Sequence, residues 1–266
     1  MNISFYTATT GAIQQQDRLD VHANNIANVN TFGFRAKQPS FSQLMTGPVT
    51  GIEETLMRGV GARMEDAATD FRQSGLTGTE RSLDYAINGA GFFALLDPRT
   101  NEISYTRDGS FTLSEMKSND EIQIPVDPDP DDPDAVPTFR TEVQEKSHWY
   151  LSDGMGRLVL GIDGRRIEVD ADQAEEAKIP ELPVGIFDFI NHDGMRSLGD
   201  NRLVPVDKNG GVGIGTGKAV QGFLELSNAD LANEMAKVIE SQRSFQYMLR
   251  MITTSDEIET TVNSLR

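Results

Sequence analysis

The chain reads as an α+β protein: a mainly antiparallel β central domain between long N- and C-terminal helices that pair as a coiled coil. Three features predict this. Apolar residues at both ends recur in alternate steps of three and four, the seam of a heptad repeat. The middle breaks into short apolar runs bounded by Asx-Gly pairs, the signature of antiparallel hairpins. The 24 glycines and 38% hydrophobic residues among 266 suit turns around a β core better than a uniformly helical one.

At the N-terminal end Phe5, Ala8, Ala12, Gln15, Leu19, His22, Ile26 and Val29 form one seam, interrupted only by Gln15 and His22. A helix from about Phe5 to Asn28 would be roughly 36 Å long. Asn28-Val29-Asn30-Thr31-Phe32-Gly33 should stop it, since Asn and Gly tolerate the positive φ of a helix C-terminus. At the other end Leu231, Met235, Val238, Gln242, Phe245, Leu249 and Ile252 repeat the pattern, and a seam shifted by one runs on through Met251, Ser255, Ile258, Val262 and Leu265. Ser227 followed by Asp230 resembles a capping box, so this helix should start near residue 228 and extend about 57 Å. Neither narrow stripe can bury itself, and most helical stability in water comes from packing such a face. The simplest partner for each is the other, with the remaining surface meeting neighbouring subunits. The alternative is that both pack on the domain core.

Between the helices, Gly91–Leu96, Ile103–Thr106, Leu158–Leu160, Val184–Ile190, Leu203–Val206 and Val220–Leu226 read as strands. The turns Asn88-Gly89, Asp108-Gly109, Asp153-Gly154, Asp163-Gly164, Asp193-Gly194 and Asn209-Gly210 should close hairpins of a sandwich or barrel. Residues 120–145 hold nine acids, one base and five prolines. Asp127 to Asp134 should therefore be an extended solvated loop or disordered. Asp127, Asp129 and Asp131 match the start of an EF-hand loop, but Asp132 stands where Gly is needed and Thr138 where the bidentate Glu belongs.

The net charge of −17 argues against nucleic acid and anionic membranes as partners. It is also uneven: residues 1–40 carry +1, 228–266 carry −2, and 41–227 hold −16. Nearly neutral ends permit close packing of copies where like charges would oppose it. The absence of cysteine removes thiolate nucleophiles and cysteine-ligated metals. No apolar run approaches the roughly 20 residues of a membrane span, and the first 30 residues have no h-region for a cleavable signal. Gly210 to Lys218 spells no P-loop, because Val212 stands five residues before Gly217 and Ala219 follows Lys218; a flexible hairpin connection is expected there. His22 should be packed or interfacial, and His192, in the turn Asn191-His192-Asp193-Gly194, solvent-exposed. His148 joins them in no His-Glu-x-x-His motif, and no Gly-x-Ser-x-Gly occurs. The reading is of a chain without catalytic, cofactor or metal residues.

Three blocks carry a family resemblance. Leu19-Asp20-Val21-His22-Ala23-Asn24-Asn25-Ile26-Ala27-Asn28-Val29-Asn30-Thr31-Phe32-Gly33-Phe34-Arg35 resembles the N-terminal signature of the bacterial flagellar rod and hook proteins. Leu83 to Phe93 followed by Tyr105-Thr106-Arg107-Asp108-Gly109-Ser110-Phe111 looks like that family's central β motif. Val220 to Asn228, Glu234-Met235 and Ile239 to Phe245 are similar to its C-terminal segment. The resemblance implies a structural subunit of the basal-body rod in the cell envelope. Such a subunit is exported without a cleaved signal by the flagellar type III apparatus, and its partners are copies of itself, other rod proteins and the hook protein. It implies terminal helices coiled together on the inner tube and a β domain outside. The family normally has the Gly-containing turn of Asp153-Gly154 soon after the Phe111 strand, so 119–148 is taken as an insertion pointing into solvent.

The expected organisation is an N-terminal assembly helix and turn (1–35), a β-rich outer domain (36–227) with the acidic insertion 119–148, and a C-terminal assembly helix (228–266). The expected assembly contacts are Phe5, Leu19, Asn24, Asn25, Ile26, Asn28, Leu231, Met235, Val238, Gln242, Phe245, Leu249 and Ile252. Asn24, Asn25 and Asn28 should bond backbone groups near the helix end, either between subunits or as local caps. If the ends fold mainly on assembly, a dilute monomer should have frayed termini. The rival from another class is a monomeric acidic β module binding carbohydrate or Ca2+ with a helical stalk; a paired-carboxylate hydrolase comes third.

Overall fold

The computed structural model describes residues 3–44, 46–48, 57–59, 61–126, 138–169 and 179–265, with side chains at 5–44, 61–117, 147–169 and 179–265. Helix α1 spans Ile3–Ala27 and helix α2 spans Leu231–Ser264, within a few residues of the boundaries the periodicity predicts. After α1 the chain turns through residues 28–33 to Gly33, whose φ is +66°. A Cβ there would stand 2.4 Å from the Asp108 nitrogen, so both conformation and space require glycine.

The start of α2 differs from expectation. Asp230, not Ser227, is the N-cap, and its side chain accepts a hydrogen bond from the Ala232 N–H at 3.0 Å. Ser227 instead accepts from Ala229 N–H one step earlier. An aspartate in this place satisfies an orphan donor and meets the positive end of the helix dipole. Asp230→Ala should therefore cost about 1 kcal/mol, read as a small downward shift of the urea midpoint with unchanged slope.

Among the described residues every strand pair is antiparallel. A ten-stranded sheet runs from Glu168–Val169 through Thr138–Ser152, Leu158–Val159, Phe92–Leu96 and Ile103–Thr106 to Arg202–Val204 and Arg196–Gly199. Ile186–Phe189 branches from Phe92–Leu96 and carries Val212–Ile214 on its far side. Smaller ladders join Lys37–Gln43 to Ala62–Thr69, Lys218–Gln221 to Tyr85–Asn88, and Phe223–Glu225 to Leu76–Gly78. The period of two places Phe93 and Leu95 in one buried cluster with Tyr85, Phe111 and Leu151, and Phe92 and Ala94 in another with Tyr105 and Phe189. Phe92–Leu96 is thus covered on both faces and is the centre of the core.

Four strand-level expectations change. Of the six Asx-Gly pairs, Asp153-Gly154 and Asp163-Gly164 close local reversals. The other four connect segments that pair elsewhere, because strand partners are chosen by burial across the fold and not by the turn. The run Val220–Leu226 divides into two strands on different partners at Gly222, where φ is +79°. The glycine-rich segment is no simple hairpin connection, since Val212–Ile214 is itself a strand. The flanks of the acidic stretch form a fifteen-pair ladder between Thr112–Val126 and Thr138–Ser152. Pro125 is accommodated because, among the described residues, its strand has a neighbour on one side alone, so no outward donor is needed. The expected loop Asp127–Asp134 and its EF-hand spacing lie outside the described residues.

Candidate functional site

Helices α1 and α2 lie side by side and antiparallel. Gly11 faces Met248, Arg18 reaches Glu240 at 3.3 Å and His22 reaches Glu234 at 2.6 Å, so rising numbers on one helix meet falling numbers on the other. The line facing inward is built from small and polar residues. On α1 it includes Ala8, Ala12, His22 and Asn25; on α2 the buried residues are Glu234, Ser241 and Ser255. Val238, Phe245 and Ile252, from the expected seam, are half-buried along the same line, as are Leu19 and Ile26 on α1.

The rest of that expected seam points elsewhere. Phe5, Leu231, Met235, Gln242 and Leu249 are exposed in the single chain; Met235 is 53% and Leu249 43% accessible. The apolar stripe is therefore displaced one position round α2 from the line that α1 covers. Ile239, Met251, Ile258, Val262 and Leu265 add further exposed apolar surface.

At the base of the helix pair lies a buried polar node. The Glu234 carboxylate is met by His22 Nδ1 at 2.6 Å, the Asn25 amide at 3.2 Å and Lys237 Nζ at 3.2 Å. Burial pushes its pKa up, but the hydrogen bonds from Asn25, His22 and Lys237 outweigh this and hold it below the ordinary glutamate value. Asn25 is fully buried. Its side chain also donates to Lys37 O at 2.8 Å and accepts from Lys37 N–H at 2.9 Å, completing the exposed edge of a backbone residue as another strand would. One amide thus ties α1, the following strand and α2 together. Of the other two asparagines, Asn28 donates to Asn24 O at 2.9 Å, a local bond of the helix end, and the Asn24 side chain is exposed.

A second node joins this base to the sheet. The Glu225 side chain is wholly buried between Arg35 Nη2 at 2.8 Å and Arg107 Nη1 at 3.1 Å, and it accepts from Ser74 N–H at 2.9 Å. Burial lowers the Arg107 pKa, and Glu225 opposes that shift. Asn228, three residues on, accepts from Ala36 N–H at 2.6 Å and donates to Asp70 O at 2.8 Å. The segment after α1, through Arg35, and the segment before α2, through Glu225 and Asn228, are bonded to the same stretch, Asp70 to Ser74, that follows strand Ala62–Thr69.

The three histidines occupy separate places. His22 is buried as expected for a packed residue. His148 lies against Glu168. His192 is not the exposed turn residue that sequence suggests: it bonds Asp188 at 2.6 Å and packs on Phe71 and Phe92. Among the described residues no group of three or more His, Asp or Glu could hold a metal, and no helix is long and apolar enough to cross a membrane.

Sequence reasoning singled out Asn25 but missed Glu234, Glu225, Arg35, Arg107 and Asn228 as a unit. The signal available was a charge within an apolar run, as with Glu225 in Val220–Leu226, or one on a helical seam, as with Glu234 four residues before Val238.

Residues 5–35 match the family described as flagella basal body rod protein, 86–125 the flagellar hook protein FlgE/F/G D1 domain, and 220–265 the flagellar basal body rod FlgEFG protein C-terminal. The chain is 31% identical over 281 residues to the flagellar basal-body rod protein FlgG of Buchnera aphidicola subsp. Schizaphis graminum, covering 96% of each. It is 30% identical over 278 residues to FlgG of Bacillus subtilis, again covering 96% of each. The flagellar hook-basal body complex protein FlhP of Bacillus subtilis is 26% identical over 296 residues, covering 99% of each. The resemblance is strongest in kind to the distal rod protein. With three family segments falling in order on α1, the sheet and α2, and near-complete coverage of full-length relatives, the chain belongs to the flagellar basal-body rod protein family.

Proposed function

We propose that this protein is a structural subunit of the flagellar basal-body rod. Copies assemble into a helical tube through α1 and α2, paired as a coiled coil, and carry motor torque to the hook. The family is a structural one, and the chain is not an enzyme. The observation that carries the assembly reading is the displaced apolar stripe. The line between α1 and α2 is satisfied by small and polar side chains, while Leu231, Met235 and Leu249 stay in solvent. Exposed apolar surface of this extent marks an interaction face. Other copies are its partners along the shaft, with different rod proteins and the hook protein at the ends. Delivery is by the flagellar type III apparatus to the basal body.

The test follows from the same geometry. The double variant Met235→Asp and Leu249→Asp alters residues exposed in the single chain, so its melting should match the wild type within the ~0.5 kcal/mol per site typical of surface changes. Two carboxylates in a close-packed helical interface should abolish sedimenting polymer and tubes in negative stain. A double variant that still forms tubes of wild-type diameter would overturn the reading. Phe245→Asp is the control for the inner seam: because Phe245 is half-buried, it should lower monomer stability as well.

A further inference from the structure

We propose that neighbouring copies pack α2 against α2 in parallel with an offset of sixteen residues, so that the flank from Leu231 to Leu249 of one copy meets the flank from Tyr247 to Leu265 of the next. This rests on the assembly reading above and fixes the register of its contact.

The second helix carries two exposed apolar flanks, not one. Leu231, Met235, Ile239 and Leu249, 43–53% accessible, lie on one side of the line that α1 covers. Tyr247, Met251, Ile258, Val262 and Leu265, 53–83% accessible, lie on the other. Helix geometry separates them: Met235 and Met251 stand about 100° to either side of the buried Glu234. The flanks are also displaced along the axis, the first in the lower half of α2 and the second in the upper. Gln242 and Gln246 complete the first, so neither flank includes a charge, and copies of a chain of net −17 can approach there without repulsion.

Sixteen residues turn an α-helix by about 160°, close to half a turn beyond whole turns. A parallel neighbour moved by sixteen therefore sets each residue of the first flank against the residue sixteen further on in the second. Leu231 meets Tyr247, Met235 meets Met251 and Leu249 meets Leu265. Ile239 enters the gap between Met251, Thr254, Ser255 and Ile258, the four-residue hole that receives a knob in coiled-coil packing. The axial shift is about 24 Å.

The length of α2 calls for the same neighbour. Gly11 faces Met248, so Ile3, where α1 begins, falls opposite Asp256. Ile258, Val262 and Leu265 thus run past α1, with no helix beside them among the described residues. A short helical extension is marginal in water without packing. In the offset arrangement it lies beside residues 242–249 of the next copy, where α1 supports the helix from behind. Pairing one flank with itself about a two-fold axis would leave the other flank in water. Two unlike flanks make the contact heterologous, and it propagates as an open helix.

The chain has no cysteine, so Met235→Cys and Met251→Cys can be placed in separate full-length copies, mixed under polymerising conditions, oxidised and resolved on a non-reducing gel. Both positions are more than half exposed, and unchanged melting confirms the fold of each variant. A disulfide needs Cα atoms within about 7 Å, whereas a slip of one heptad moves them by about 10 Å. The expected result is a covalent dimer from the mixture, at least tenfold more abundant than from either variant alone or from Met235→Cys mixed with Ile258→Cys. Polymer without this preference overturns the offset and leaves the rod reading standing, as do dimers from Met235→Cys alone, which would report two-fold pairing. Preferential links in small oligomers without polymer support the contact and count against the rod reading. Neither polymer nor links overturns both.

Discussion

Replacing Glu225 by alanine should destabilise the chain by about 3–5 kcal/mol, the usual cost of removing one partner from a buried ion pair. Glu225 bonds both Arg35 and Arg107, two arginines with almost no exposed side chain, and is the one carboxylate among the described residues that does so. Its removal leaves two guanidinium groups in a low-dielectric interior and the Ser74 N–H without its acceptor. Arg107 also donates to Gly89 O at 2.8 Å and lies 5.5 Å from the Phe92 ring, so the disturbance passes directly into the core. Glu225→Gln keeps shape and some hydrogen bonding but loses the charge, and should fall between wild type and alanine. Urea unfolding of the three proteins at neutral pH measures the order. A loss below about 1 kcal/mol for alanine, the value of an exposed pair, would mean that water reaches the node.

That node marks the boundary of what sequence could disclose. The helices were legible because a 3.6-residue period and an Asn/Gly stop are local properties: α1 ends at Ala27 within one residue of the expected Asn28. Phe92–Leu96 and Ile103–Thr106 were legible as apolar runs for the same reason. Partnership was not. Glu225 lies 118 residues from Arg107, and Asn25 lies 209 from Glu234, so no window along the chain contains a pair. On α2 the line that α1 covers lies one position round from the apolar seam, because apolarity alone does not say which face a particular neighbour covers. Here the buried line contains Glu234, Ser241 and Ser255, while Met235 and Leu249 are solvated. Small residues let two helices approach closely, as at Gly11 against Met248, and a hydrophobic scan cannot register that.

Glu234→Gln should destabilise the chain at pH 7, because it takes the charge out of the buried hydrogen bonds from His22, Asn25 and Lys237, and the part of the difference that is due to charge should be lost in acid. The sign follows from linkage. The native carboxylate has a pKa below its ordinary 4.5 because Asn25, His22 and Lys237 together outweigh its burial. Its stabilisation is therefore complete above 4.5 and is lost as pH falls through the lower native value. Urea midpoints of the two proteins should thus be well separated at neutral pH and converge only below the ordinary carboxylate range; a gap that persists at the acid limit would assign the loss to packing instead. The location of the loss is a second readout. The Glu234 node holds α2 to α1 and to Lys37, whereas Glu225 anchors the sheet. Faster amide exchange in the Glu234 variant should thus be confined to 3–27 and 231–264, leaving the ladder of Phe92–Leu96 protected. Loosened helices on an intact sheet would also lower the polymer yield without touching a single exposed apolar residue. The rod reading requires this outcome, since the stripe on α2 can meet a neighbour only while α1 holds it in place.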